Sequence, residues 1–292
     1  NGVPLSALAS VDRGNGVSGE NVNWNITAPV VPGEEIVWTG ETSENWADIL
    51  NWDRKRAPVV TDRVTVPAGC GRYPSISIAD VTVNGLAVTA GARLTLANRA
   101  LTVTNALAVA GTFAVTGATT VRCEGDVSVT GTFDGPECTL LLAGGRGQTA
   151  DLGGRAFNEI VAEKSGGTLA FASGFTAAML RLSASVPTTL TFPALWVVTC
   201  GDLYAEGGDG MTLTLRGETD GSVWKLVKRG LGRVRGVRVK NCDASGGDTI
   251  YAELPGEDLE GNRNWVFGAK TAVWTGEGAK GDFTDGRNWS TG

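Results

Sequence analysis

From Val81 to Leu142 apolar and polar positions alternate over short runs, and most runs are bounded by Gly, Asn or Thr. Inward pairs fall at Leu86/Val88, Leu94/Leu96, Leu101/Val103, Leu107/Val109, Phe113/Val115, Val121/Cys123, Val127/Val129, Phe133 and Leu140/Leu142. A period of two marks strands with one buried face. A helical reading fails on this spacing, and Gly, Thr and Val are poor helix formers. Taken three at a time, the strands recur about every 20 residues, which places Leu86, Leu107 and Val127 in one column. Leu94, Phe113 and Phe133 form a second column, and Leu101, Val121 and Leu140 a third. That step predicts an all-β, parallel β-helix whose rungs bond one to the next. The bias of parallel crossovers favours a right-handed coil, a prior to which the sequence itself adds nothing. A left-handed hexapeptide helix is the lesser alternative, because its strict six-residue step is broken here. Gly91, Gly111, Gly117, Gly125 and Gly131 mark corners where a positive φ suits a residue without Cβ.

After a looser, glycine-rich stretch at 143–156 the alternation returns at wider spacing. It shows at Leu169/Phe171, Leu180/Leu182, Leu190/Phe192, Leu213/Leu215, Trp224/Leu226 and Val237/Val239.

A second pattern encloses the first. Val37-Trp38-Thr39-Gly40-Glu41 returns as Val273-Trp274-Thr275-Gly276-Glu277. Trp46-Ala47-Asp48 with Asn51-Trp52 is answered by Phe283-Thr284-Asp285 with Asn288-Trp289, one residue having been inserted. Asn23-Trp24-Asn25-Ile26 and Asn264-Trp265-Val266-Phe267 lead into the two copies. Self-similarity on this scale predicts a tandem array. Residues 1–35 read as the tail of a preceding unit, 36–267 as one complete β-helical unit, and 268–292 as the start of the next.

Composition narrows the chemistry. The 42% apolar fraction is enough for a sizeable core. A net charge of −6 argues against a nucleic-acid partner. No run of 18 apolar residues is present, so membrane insertion is not expected. The chain opens on Asn with no visible signal peptide, so a leader is expected to have been removed or omitted. There is no histidine, which removes the commonest general base and metal ligand and every Ser-His or Cys-His pair. Cys70, Cys123, Cys138, Cys200 and Cys242 show no CxxC spacing, so zinc and thioredoxin-like readings are weak. The rung register points Cys123 and Cys138 inward but about four residues apart along the strand, too far for a disulfide. Buried free thiols are expected. No cofactor and no metal is expected.

The order V-W-T-G, an aromatic, N-W, Pro58, then Asp62-Arg63-Val64-Thr65-Val66-Pro67 leads into β-helical coils. The unit closes with Cys242-Asp243-Ala244-Ser245-Gly246-Gly247 and an Asn-Trp. This resembles the tandem units of large bacterial secreted and cell-surface proteins, the adhesin-like or filamentous-haemagglutinin-like repeat proteins. The resemblance covers nearly the whole chain and implies a β-solenoid stalk or adhesive surface, secreted or on the bacterial cell surface. It carries no catalytic residues over. Its neighbours would be further repeat units of the same chain, with glycans or host and environmental surface polymers as further candidates. Phe283 in place of Trp46 shows that the junction tolerates variation.

Seven of the nine tryptophans lie in the junction motifs. Trp38, Trp46, Asn51, Trp52, Trp265, Trp274, Asn288 and Trp289 are therefore expected to cap the solenoid and join units, covering strand edges. A sugar-stacking platform is the alternative use of the indoles. Asp48-x-x-Asn51 and Asp285-x-x-Asn288 read as turn residues, with Ca²⁺ ligation as the lesser reading. Lys225, Lys228, Arg229, Arg233, Arg235, Arg238 and Lys240 form a basic run with valines between them. It reads as a solvated outer face, or else as a grip for anionic glycans. Asp202, Glu206, Asp209, Asp243 and Asp248 could hold a glycosidase pair, but their glycine-rich surroundings favour turns. The primary expectation is a structural or adhesive module without chemistry. A carbohydrate-binding module is the alternative, and a polysaccharide lyase or hydrolase a distant third. Asn25-Ile26-Thr27 and Asn288-Trp289-Ser290 match glycosylation sequons, expected to be coincidental.

Overall fold

The computed structural model describes residues 33–135, 137–269, 272–278, 281–284 and 288–291. The tail assigned to 1–35, with Trp24, and the turn residue Asp285 lie largely or wholly outside them. Among the described residues the regular structure is β-strand apart from one short 3-10 turn, and the strands stack mainly in parallel as a β-solenoid. The chain divides into two compact units, Asn1–Cys123 with Ser128–Cys138, and Glu124–Val127 with Thr139–Gly292.

In the first unit, one parallel stack runs through Glu35–Val37, Arg63–Val66, Val81–Val88, Leu101–Val109 and Thr119–Cys123. A second parallel stack runs through Ser75–Ile76, Arg93–Ala97, Thr112–Thr116 and Thr132–Asp134. The register places Leu86 beside Leu107, Leu94 beside Phe113 and Phe113 beside Phe133, and Leu101 beside Val121, as the apolar columns require. All seven are buried, with the Phe113 and Phe133 rings stacked at 5.0 Å. One corner rule needs correcting. Gly91 has the positive φ expected, but Gly111 does not. A Cβ at Gly111 would lie 2.3 Å from the Thr89 carbonyl oxygen, so that glycine answers to close approach of the preceding rung.

The second unit repeats the principle with longer coils. One stack carries the Thr139–Gly144 stretch against Ala156–Lys164, then Phe175–Ala184 and Val197–Glu206. Val197–Glu206 is long enough to pair with both Trp224–Lys228 and Gly232–Arg235. A parallel stack runs Gln148–Asp151, Thr168–Phe171, Thr188–Phe192, Leu213–Gly217, Val237–Val239 and Glu257–Asp258. Gly232–Arg235, Ile250–Glu253 and Trp265–Ala269 form the last rungs. The core includes a column of stacked rings, Phe171 on Phe192 at 5.2 Å and Phe192 on Trp224 at 4.2 Å.

The stretch at 143–156 is more ordered than its composition suggests, because Gln148–Asp151 is a strand. Its alternation is masked by a polar residue facing inward. Gln148 is buried, and its Oε1 accepts from the buried Lys164 ammonium at 3.2 Å. That ammonium also donates to the Ala143 and Arg146 carbonyls at 3.0 and 3.1 Å. Burial lowers the Lys164 pKa, with Glu124 opposing. All five cysteines are free, four of them buried. Cys123 pairs in register with Val103, and burial pushes the Cys138 thiol up to about 11 and the Cys200 thiol up to about 12.

Candidate functional site

Residues 37–52 fold into a clasp whose components are local in sequence. Trp38 and Trp52 meet as an antiparallel bridge. The Trp52 ring sits edge-on between Trp38 at 4.9 Å and Trp46 at 4.8 Å. Such T-shaped contacts place ring edges on ring faces and add to the burial term. Two of the three indole N–H groups are bonded: Trp52 donates to the Trp46 carbonyl at 2.9 Å and Trp38 to the Arg72 carbonyl at 2.8 Å.

Asn51, fully buried, holds the loop from inside. Its Oδ1 accepts from the Thr42 N–H at 2.9 Å and the Ser43 N–H at 3.0 Å, while its Nδ2 donates to the Asn45 carbonyl at 3.1 Å. Asp48 caps the 3-10 turn Ile49–Asn51 through the Leu50 N–H at 3.1 Å. The Thr42 hydroxyl, then the Leu50 N–H and the Ser43 hydroxyl, hold the Asp48 carboxyl below its usual range. These contacts are those of a turn residue, and no cluster suited to a metal occurs among the described residues.

The second copy builds the same clasp. Trp274 pairs antiparallel with Trp289, and the Trp289 ring meets Trp274 at 5.2 Å and Phe283 at 4.5 Å, both edge-on. The Trp289 indole donates to the Phe283 carbonyl at 3.0 Å, matching Trp52 with Trp46. Asn288 is fully buried. It accepts from the Gly278 N–H at 2.6 Å and donates to the Asp282 carbonyl at 2.8 Å, matching Asn51. Its amide is therefore committed to the fold, which leaves no accessible sequon there. Trp265 belongs to neither clasp; it stacks on Phe267 at 5.7 Å in the last rung.

Sequence reading missed a buried charge cluster in the segment that follows the first clasp. Arg56 and Asp62 form a buried bidentate pair at 2.5 and 3.1 Å, with Glu34 adding a third contact at 3.0 Å. Burial pushes the Asp62 carboxyl up, but Arg56 and the Val59 N–H outweigh it and hold the carboxyl below its ordinary value. Asp62 was visible in its motif. Arg56 was not, because a lone arginine in a polar loop carries no pattern.

The basic run lies on the outer face of the second unit, with Val234, Val237 and Val239 buried between its charges. Carboxylates accompany much of it. Arg233 pairs with Glu253 at 3.0 Å, Arg238 with Glu257 at 2.8 Å and Lys240 with Asp220 at 2.6 Å. Arg235 reaches Asp209 and, at 3.8 Å, Glu206. Lys228 donates to the Gly230 carbonyl and Arg229 to the Gly246 carbonyl at 3.2 Å, while Lys225 lies in register with Asp243. Asp202 accepts from the Leu231 N–H at 2.8 Å, Asp243 from the Ser245 N–H at 3.1 Å, and the Asp248 N–H bonds the Lys228 carbonyl. The structure thus ties the basic and acidic candidates mainly to each other and to turns.

One protein-family model, described as a domain of unknown function (DUF8693), matches residues 37–134. The match begins at the first clasp and ends within the first compact unit. No curated protein and no solved structure matches the chain.

Proposed function

We propose that this chain is a non-enzymatic structural and adhesive repeat module of a large bacterial secreted or cell-surface protein, presenting the flank of a β-solenoid. The observation that supports this most is the recurrence, within 37–52 and again within 272–289, of a clasp whose buried asparagine is spent on its own loop. Catalysis needs convergent groups poised towards a substrate; here Asn51, Asp48, Asn288 and much of the basic run are bonded internally. Function then follows from reach and valency, since linked copies raise avidity without new contacts.

Concatenating one, two and three copies of residues 36–267 tests the reading by small-angle scattering. A constant gain in maximum dimension per copy is expected, and collapse to a compact particle would count against it. Release of unsaturated products or new reducing ends from pectin, alginate or glycosaminoglycans would overturn the non-enzymatic part.

A carbohydrate-binding reading has one observation in its favour. Trp196, 46% exposed, lies against Gly154 and Gly174 at stacked corners, with Leu195 exposed beside it. An indole backed in this way offers a flat face for a sugar ring. A glycan array in which Trp196→Ala loses a signal that the parent shows would support it.

A further inference from the structure

The two clasps differ on one face. In the first, residues 70–76 lie across it: the Arg72 carbonyl accepts the Trp38 indole at 2.8 Å, and the Arg72 guanidinium donates to the Glu41 carbonyl at 3.1 Å. Ser75 adds a parallel bridge to Asn45, its N–H donating to the Glu44 carbonyl at 2.6 Å and its carbonyl accepting the Trp46 N–H at 3.2 Å. Under that cover Trp38 is 1% and Trp46 5% exposed. Their counterparts Trp274 and Phe283 are 41% and 72% exposed, with Val273 exposed beside them.

We propose that this open face of the second clasp is a docking site for a copy of the chain's own segment 53–76, carried by a further repeat unit. The proposal rests on the repeat-module reading and adds to it the contact surface and its occupant. The first clasp shows what covers such a face, down to the carbonyl that takes the indole N–H.

A glycine supplies an independent observation. A Cβ on Gly40 would lie 2.2 Å from the Arg72 carbonyl oxygen, so the cover excludes a side chain there. At Gly276 the nearest atom to such a Cβ is the Trp274 indole nitrogen at 3.5 Å, so in the uncovered clasp there is room. Both glycines have positive φ, +64° and +72°. Asn is the side chain that reaches that region most readily. Gly276→Asn therefore blocks the cover at a modest cost to the clasp.

The test replaces residues 290–292 with a second copy of residues 53–138 and follows amide exchange by mass spectrometry. Peptides spanning 272–289 are expected to exchange about tenfold or more slowly than in the original chain, and Gly276→Asn to abolish that gain. The same substitution in the original chain should leave exchange across 272–289 within about twofold. Appended coils that become protected while 272–289 stays labile would overturn the docking and leave the module reading standing. Appended coils and clasp both remaining labile would overturn both. Equal protection with and without Gly276→Asn would also overturn the docking, since the cover could not then approach as Arg72 does.

Discussion

The first and second clasps are nearly the same object in different surroundings. Each has an antiparallel Trp–Trp bridge, an edge-on aromatic trio and a buried asparagine bonding the loop that precedes it. Their internal geometry agrees because every one of those contacts is made within about 17 residues of chain, so local sequence suffices. Their burial differs because it is supplied from elsewhere. In the first clasp Arg72 and Ser75 arrive from the following segment. The comparison separates forming a clasp from sealing it.

The largest expected asymmetry comes from truncating the central ring. Trp52→Ala should cost about 3–5 kcal/mol in the first unit by leaving a cavity. Trp289→Ala, in a half-covered ring set, should cost the rest of the second unit under about 1 kcal/mol. Denaturant-dependent hydrogen exchange on peptides from each unit measures both. Equal losses would dissolve the distinction.

Next is the buried charge cluster. Asp62→Asn leaves the buried Arg56 with only Glu34 as a charge partner and should destabilise the first unit by about 3 kcal/mol. The sign with pH follows from the depressed Asp62 pKa. Its contribution is fully present above the unfolded carboxylate value of about 4 and is lost as pH falls below that towards the folded value. An acid titration of first-unit exchange should show that loss in the parent and a flatter profile in Asp62→Asn. An unchanged slope would mean that the acid sensitivity of the first unit does not rest on this pair.

Asn51→Ala and Asn288→Ala probe what the clasps share. Each removes a fully buried amide that bonds the loop backbone, so each should loosen its own clasp by about 1–3 kcal/mol. Peptide-resolved exchange over 39–52 and 273–289 should show comparable effects; a loss confined to the first copy would make the likeness one of shape only. The smallest effect belongs to the outer flank. Arg233→Gln breaks an exposed pair with Glu253 and should change the unfolding free energy, read from denaturant titration, by no more than about 1 kcal/mol.

Sequence legibility follows the same division. Columns such as Leu94, Phe113 and Phe133 could be read because a strand buries every second side chain and stacked coils repeat that choice at a fixed step. The clasp residues Trp38, Asn51, Trp52 and their copies could be read because the motif recurs. Gln148–Asp151 was hidden because its inward Gln148 breaks the apolar alternation and becomes legible only once Lys164 is placed beside it. The basic run could be read as charge but not as pairing, since Arg233 and Glu253 are brought together by rung register across 20 positions. Gly111 illustrates the limit from another side: its need for hydrogen in place of Cβ comes from a carbonyl of the rung beside it, not from its own φ.

By itself the sequence determined the all-β class, the coil step, the apolar columns and the recurrence of the clasp, all of which are periodic or local and so survive without coordinates. The tertiary structure alone decided which groups lie across a clasp, which charges meet, and that the second clasp keeps an open aromatic face. Those outcomes depend on which distant segment is laid against a surface, and no spacing along the chain encodes that choice.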